Sequence, residues 1–202
     1  MPKRLLKTFD VLTPITCVLL FGNTLMFVFQ ESVAHPLLST LALQPFDSRQ
    51  FRDWQLFTYA FVHVDWAHLI VNMGGLCFFG PAIERQLGGR RFLIYFVLCL
   101  LGAALTHLTV SRVNPDISVP IAGSSGGLFG LVFAYGWLFP HQPIMLNSRV
   151  KNWLFVGFFA LVELLIGVFK TKQGVAHFAH LGGMLAGFLL LLFWRTQARN
   201  KL

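Results

Sequence analysis

Six apolar runs, each about as long as a membrane-spanning helix, take up most of this chain of 202 residues. Charged residues make up only 12% of the chain, whereas a water-soluble domain contains about a quarter. A chain of this composition cannot cover its surface with polar groups, so a lipid bilayer must be its solvent. We place the spans at about residues 11–30, 66–83, 92–111, 124–140, 151–169 and 174–194.

Backbone chemistry decides the fold class of such a chain. In lipid every backbone N–H and C=O needs a partner within the protein, which only helices and closed barrels provide. The runs are uniformly apolar and lack the alternation that is typical of barrel strands. We therefore predict an all-α membrane protein, a bundle of six transmembrane helices that forms a single domain over residues 1–202.

The longest connection, at about residues 31–65, is too apolar for a flexible linker. It mixes prolines and charged residues with aromatic side chains such as Phe46, Trp54 and Phe57. Aromatic side chains of this kind favour the headgroup region of a bilayer. We expect this segment to lie in the interface as short helices.

The distribution of Lys and Arg predicts the orientation of the bundle. With a cytoplasmic N-terminus, eleven basic residues lie on the inner side and five on the outer side, the outer ones being Arg49, Arg52, Arg112, Lys170 and Lys172. Cytoplasmic segments carry such an excess, so we predict that both termini lie inside. The net charge of +8 is then a topology signal, and without a basic face carrying stacking aromatics we expect no nucleic-acid partner.

Polar side chains occur at one depth in three of the predicted spans. His68 and Asn72 lie near the outer end of the second span, Ser125 opens the fourth, and His177 and His180 lie in the sixth. All three spans run inward in the predicted orientation, so these groups agree in depth to within about 10 Å. Because such residues are costly in lipid, we interpret them as functional.

Small residues repeat every four positions on the fourth and sixth spans. Faces of this kind let helix backbones approach closely. We expect the two spans to pack together and to bring Ser125 to hydrogen-bond distance of His180. The residues of the two faces are Gly126, Gly130 and Ala134, and Ala179, Gly183 and Gly187.

These groups predict acyl-transfer chemistry. A serine hydroxyl becomes a useful nucleophile when a base removes its proton, and His180 is the candidate base for Ser125. His68 and Asn72 share one helix face and can both donate an N–H to a developing oxyanion. Gly123 and Gly126 flank the serines and suit a tight backbone entry into the helix.

Other polar residues have simpler interpretations. Ser124 is the competing nucleophile, although a residue beside a helix start more often satisfies the backbone. His63 and His107 lie near span ends and are expected at the interface. Glu163 lies well inside the fifth span and could be a neutral, hydrogen-bonded acid or a structural partner. Its spacing does not place it beside His180, so our prediction is limited to a Ser–His dyad.

Together these residues resemble the rhomboid family of intramembrane serine proteases, of the compact bacterial six-helix type. The resemblance covers nearly the whole chain and is specific in the combination and order of its motifs. It is carried by His68-x-x-x-Asn72, by Gly123-x-Ser125-Gly126, by Ala179-His180-x-x-Gly183, and by Trp54, His63 and Glu84 at family positions. Phe129 stands where relatives often carry the Tyr that stacks on the base, and Gln55 and Gln86 stand where they often carry Arg.

The resemblance implies a role for each of these groups. Ser125 would be the nucleophile and His180 the general base, and His68, Asn72 and the Ser125 backbone N–H would line the oxyanion site. Gly123, Gly126, Phe129, His177 and Gly183 would support them. The substrates would be single-span membrane proteins, cut near the outer surface without a metal or cofactor. The loop at about 170–175 would cap the site, and span five would flank substrate access.

Three other functions use the same residues. A catalytically inactive rhomboid-like binding protein would share the fold, and a lipase or acyltransferase could use the same dyad. A transporter or metal-binding protein could be built on the imidazoles of His63, His68, His177 and His180. The small size, the lack of a targeting extension and the predicted orientation suggest a bacterial inner membrane.

Overall fold

The computed structural model of the protein describes residues 12–33, 36–114, 118–142, 150–169 and 177–199. Within these ranges the chain is helical, apart from connections and one isolated antiparallel bridge between Leu43 and Ile121. The helices are α1 (Pro14–Val33), α2 (Pro36–Leu41), α3 (Gln55–Thr58), α4 (Trp66–Leu87), α5 (Gly89–Val113), α6 (Ser125–Leu138), α7 (Asn152–Phe169) and α8 (His177–Arg199), with a 3-10 turn at Tyr59–Phe61. The prediction of an all-α membrane bundle is confirmed.

Five of these helices, α1, α4, α5, α7 and α8, are long and apolar enough to cross a membrane. The span predicted at 124–140 is shorter than expected, because α6 begins at Ser125 and ends at Leu138. Its 14 residues extend over only about 21 Å. The preceding segment 118–124 is not helical, and its residues Ile121, Gly123 and Ser124 are buried against the protein. Membrane proteins tolerate such backbone where protein or water supplies its hydrogen-bond partners.

Local sequence fixes the ends of α4. Asp65 is the N-cap, and its carboxylate accepts a hydrogen bond of 2.7 Å from the His68 backbone N–H. Gly88 ends the helix with a φ of +79°, a conformation that glycine adopts readily, and α5 begins at the next residue. The turn at Gly88 therefore joins two long helices without a loop.

Helix α8 packs closely against both α5 and α6 at glycines. A Cβ added at Gly182 would collide with Thr106 and with the carbonyl of Gly102 on α5. A Cβ added at Gly183 would collide with the carbonyl of Gly126 on α6. The small-residue faces predicted from the sequence therefore lie where the helix backbones approach one another.

The connection before α4 is held by a buried amide. Gln55 is 1% exposed, and its Oε1 accepts hydrogen bonds from the backbone N–H groups of Gln44 (3.2 Å) and Arg52 (3.1 Å). Its Nε2 donates to the carbonyls of Thr40 (3.0 Å) and Gln50 (3.1 Å). Gln55 thus holds this segment together.

Glu84 has a structural role at the opposite end of α4. Its carboxylate accepts hydrogen bonds from the backbone N–H groups of Ile15 (3.0 Å) and Thr16 (2.8 Å) and from the hydroxyls of Thr13 and Thr16. The first N–H groups of a helix have no partner within that helix. Glu84 therefore caps α1 and joins it to α4.

The contact between α6 and α8 predicts that Gly183→Ala is strongly destabilising. The new methyl group must displace the Gly126 backbone, and overpacking of this kind costs about 1–3 kcal/mol. Gly157→Ala is the matched control, because nothing lies within 4 Å of the added Cβ. We expect thermal unfolding in detergent to show a lower midpoint for Gly183→Ala and an unchanged or higher one for Gly157→Ala. Equal midpoints would contradict the close approach.

Candidate active site

The N-terminal turns of α4, α6 and α8 meet at one end of the bundle. His68 is the third residue of α4, Ser125 is the first residue of α6, and His180 is the fourth residue of α8. All three side chains line one cavity. Since the N-terminus of a helix carries a partial positive charge and free N–H groups, the start of α6 favours negative charge beside Ser125.

Ser125 and His180 are hydrogen-bonded. The Ser125 Oγ lies 2.9 Å from the His180 Nε2. On its other side the His180 ring stacks on Phe129, with ring centroids 4.1 Å apart and planes inclined by 7°. The stacked ring restricts rotation of the imidazole and keeps its Nε2 directed at the hydroxyl.

The backbone enters α6 through a sharp turn at Gly123. This residue has a φ of +103°, and its N–H donates a 2.8 Å hydrogen bond to the Tyr59 carbonyl. An added Cβ would lie 2.7 Å from the Nε2 of His68. A side chain at position 123 would therefore both strain the backbone and displace the imidazole. Two hydrogen bonds between Leu43 and Ile121 hold the same segment from the other side.

The cavity has a volume of about 380 Å³ and contains the expected oxyanion groups. Asn72 is 2% exposed, and its Nδ2 donates a 2.9 Å hydrogen bond to the His68 carbonyl. Its Oδ1 has no hydrogen-bond partner among the described residues. The cavity is lined by Val64, Asp65, His68, Val71, Asn72, Pro120, Ile121, Ala122, Ser125, Leu128, Phe129 and His180.

Glu163 lies behind the imidazole, which the sequence did not predict. Its Oε2 lies 2.9 Å from the His180 Nδ1 and 2.7 Å from the His177 Nδ1. The carboxylate, on α7, is 9% exposed. The chain of contacts therefore runs from the Ser125 hydroxyl through both nitrogens of His180 to Glu163. A carboxylate inside an apolar helix was the sequence signal for a partner, but it did not identify which one.

The same three groups could hold a metal ion. One ligand atom from each of Glu163, His177 and His180 lies within 4.8 Å of the other two. Two imidazoles and a carboxylate are a common ligand set for zinc. The contacts of 2.7 and 2.9 Å are also those of ordinary hydrogen bonds.

Ser124 lies on a different side of the α6 entry. It is 2% exposed and is the N-cap of α6, but its side chain makes no capping hydrogen bond, contrary to the expectation from sequence. It lines a separate cavity of about 190 Å³ with Asn23 of α1 and Phe96 of α5. The hydroxyl in the cavity with His180 is therefore that of Ser125.

His63 and His107 are both buried within the protein. His63 is 0% exposed and packs edge-on against His68, with ring centroids 5.1 Å apart. Neither ring nitrogen of His63 has a partner in hydrogen-bond geometry within the described ranges. The Nε2 of His107, which is 3% exposed, contacts the Val119 carbonyl at 2.9 Å.

Burial lowers the pKa of His63 from 6.5 to about 4. Removal from water is the main cause, the neighbouring His68 adds to it, and the Phe61 carbonyl opposes it. The loop expected to cap the site, at about 170–175, falls outside the described residues.

Comparison with known proteins identifies the family of this chain. The family model described as "Rhomboid domain" matches residues 50–197, which include every residue that lines the cavity. "RHOMBOID-like protein 1" of Arabidopsis thaliana is 31% identical over 180 residues, a region that covers 81% of this chain. The same region covers 42% of that plant protein, so the chain spans less than half the length of this relative.

The buried His63 predicts an acid-sensitive fold. Between pH 6.5 and 4 the unfolded chain binds a proton that the folded protein excludes, so stability is full above pH 6.5 and is lost as pH falls toward 4. The loss attributable to this group is about 3 kcal/mol. We expect His63→Phe to lose less stability than the wild type between pH 7 and pH 4, as measured by unfolding in one detergent. His141→Asn, at an exposed position, is the control, and a His63→Phe profile parallel to the wild type would contradict the assignment.

Proposed function

Because this chain belongs to the rhomboid family, we propose that it is an intramembrane serine endopeptidase that cleaves transmembrane segments of single-span membrane proteins. The observation that carries the proposal is the 2.9 Å contact between the Ser125 Oγ and the His180 Nε2 beside a cavity lined by His68 and Asn72. The apolar helices and the family make the chain an integral multi-pass membrane protein. A nucleophile beside a cavity within such a bundle suits hydrolysis of peptide bonds that lie at membrane depth.

In the first half of the reaction, the Ser125 Oγ attacks the scissile carbonyl carbon. His180 Nε2 takes the hydroxyl proton as the Oγ–C bond forms, and the carbonyl π electrons move to the oxygen. Collapse of this tetrahedral intermediate breaks the C–N bond, and the proton on Nε2 passes to the leaving nitrogen. The products are a free amine and an ester on Ser125.

Hydrogen-bond donors on two helices, α4 and α6, stabilise the oxyanion. The Ser125 backbone N–H is free at the start of α6, Asn72 offers its second Nδ2 proton, and His68 offers a ring N–H. Donors that are already in place when charge develops are usually the largest single contribution to such catalysis. The partial positive charge at the start of α6 acts in the same direction.

Water completes the reaction through the same cavity. Its volume of about 380 Å³ has room for several waters beside Ser125. One water gives a proton to His180 Nε2 and attacks the ester, and the Ser125 Oγ then leaves with that proton. Because both halves need the same imidazole, loss of His180 stops acylation and deacylation together.

The substrate must open its own helix to be cut. Amides in a transmembrane helix are hydrogen-bonded to the carbonyl four residues earlier, so Gly or Pro near the cut favours cleavage. With both termini in the cytoplasm, the cavity lies toward the outer leaflet, and α7 flanks the way in. A bacterial inner membrane stays a prediction, and the relative described above is a plant protein.

Single substitutions test the proposal directly. The purified protein is incubated in liposomes with single-span substrates that do or do not carry a helix-weakening Gly or Pro. We expect cleavage by the wild type and by Ser124→Ala, and loss of at least about a thousandfold for Ser125→Ala and His180→Ala. A fluorophosphonate probe should label the wild type and Ser124→Ala but not Ser125→Ala.

Other outcomes point to other functions. A wild type that is folded but neither cleaves nor reacts with the probe would be an inactive rhomboid-like binding protein. Hydrolysis of a lipid ester without cleavage of any peptide would indicate a lipase or acyltransferase. Either result would reject the protease.

The oxyanion role predicts that Asn72→Ala lowers kcat by about a hundredfold while KM changes little. The amide acts on charge that exists only in the transition state, and removal of one such donor typically costs that much. Asn23→Ala is the matched control. Asn23 is equally buried and bonds in the same way to the carbonyl of Leu19, four residues earlier, and its Oδ1 likewise has no partner among the described residues. Equal losses for the two variants would assign Asn72 a structural role.

A further inference from the structure

We propose that Glu163 completes a Ser125–His180–Glu163 triad, in which the carboxylate is the positioning residue that holds His180 in its reactive tautomer. The proposal rests on the protease function proposed above and adds a third group to its dyad. It starts from two contacts on opposite sides of one imidazole. Nε2 faces the Ser125 Oγ at 2.9 Å, and Nδ1 faces the Glu163 Oε2 at 2.9 Å.

The protonation state of Glu163 follows from the contact of one of its oxygens with two imidazoles. The Glu163 Oε2 contacts the Nδ1 atoms of both His180 and His177. An ionised carboxylate can accept from both N–H groups at once, whereas a protonated oxygen has a single proton to give. With Nδ1 of His180 occupied by its proton, Nε2 carries the lone pair that faces the hydroxyl. Without the carboxylate, the proton can move to Nε2 and leave the imidazole unable to act as base.

Each step of the reaction then keeps Glu163 ionised. When Ser125 attacks, its proton goes to Nε2 and the imidazole becomes positively charged next to the carboxylate. The Nδ1 proton stays on His180 throughout, and the proton on Nε2 leaves with the amine product. The carboxylate gains and loses no proton, so it acts through orientation and charge and does not touch the substrate.

A second role of Glu163 must be separated from the first. Helix α7 packs through few buried residues, which are Asn152, Val156, Glu163 and Gly167. The Glu163 carboxylate therefore also ties α7 to α8, and His177 provides half of that tie. If linking α7 to α8 were the whole role of Glu163, removing either Glu163 or His177 would have the same effect on activity. If it positions the base, only removal of the carboxylate would impair the chemical step.

The experiment compares Glu163→Gln with His177→Asn in the whole chain of 202 residues. Activity is expressed per serine that reacts with a fluorophosphonate, so that unfolded protein does not count. We expect Glu163→Gln to lower kcat by about a hundredfold with KM within twofold, because the amide preserves shape but not charge. The rate of fluorophosphonate labelling should fall in parallel. His177→Asn should lose less than tenfold.

Glu84→Gln is the matched control for the loss of a buried carboxylate. Glu84 accepts several hydrogen bonds but caps α1, remote from the cavity. We expect this variant to have a lower thermal midpoint and a kcat per reactive serine equal to that of the wild type. It thus separates loss of stability from loss of positioning.

The remaining outcomes of this experiment distinguish rejection of the triad from rejection of the protease. A Glu163→Gln enzyme within threefold of the wild type would reject the triad and leave the protease in place, as would equal losses for Glu163→Gln and His177→Asn. Stoichiometric zinc in the active protein, with activity lost to a chelator, would reassign Glu163, His177 and His180 as metal ligands and reject the triad. A wild type without any activity or labelling would instead reject the protease itself.

Discussion

The site depends on one close approach between helices. Gly183 of α8 lies against the carbonyl of Gly126 on α6, at a distance that leaves no room for a Cβ. Ser125 precedes Gly126 and His180 lies three residues before Gly183, so this contact fixes the distance between hydroxyl and imidazole. In lipid, apolar side chains gain little from burial against one another, and close backbone packing at small residues is a main source of helix association. The contact that holds α6 against α8 is thus also the one that aligns the Ser125 hydroxyl with the His180 imidazole.

A second constraint is the cost of polar groups in an apolar solvent. The structure meets it by placing them at helix starts, where the backbone already has free N–H groups. Asp65 caps α4, Glu84 caps α1, and Ser125 lies at the first position of α6. At the cavity, the Asp65 carboxylate accepts a hydrogen bond from the His68 backbone N–H at the start of α4, and Ser125 lies at the start of α6. Two of the helix ends that accommodate polar groups therefore border the cavity that contains Ser125 and His180.

Much of this arrangement could be predicted from the sequence, but only where a local signal existed. The apolar runs predicted the helices, and the orientation rule predicted a common depth for the polar side chains of three spans. The glycine repeats of spans four and six indicated which helices meet. Phe129 also stacks on His180 as the family resemblance implied. The partner of Glu163 could not be predicted, because α7 is apolar all round and has no pattern that shows which face is turned toward α8. The burial of His63 and the direction of the Ser124 side chain could not be predicted for a similar reason. Both depend on how the irregular segments before α4 and α6 pack onto helices far away in sequence.

The contacts of Glu163, which the sequence does not predict, have more than one consequence. A carboxylate in a membrane helix is expensive unless its charge is compensated by donors. Two imidazole N–H groups supply that compensation, and both belong to α8. Separation of these groups would leave a buried carboxylate without its donors, so the polar contact itself favours the observed packing of α7 against α8. One of the two imidazoles also contacts the Ser125 hydroxyl. The packing of α7 and the orientation of the His180 imidazole are in this way coupled through a single oxygen atom.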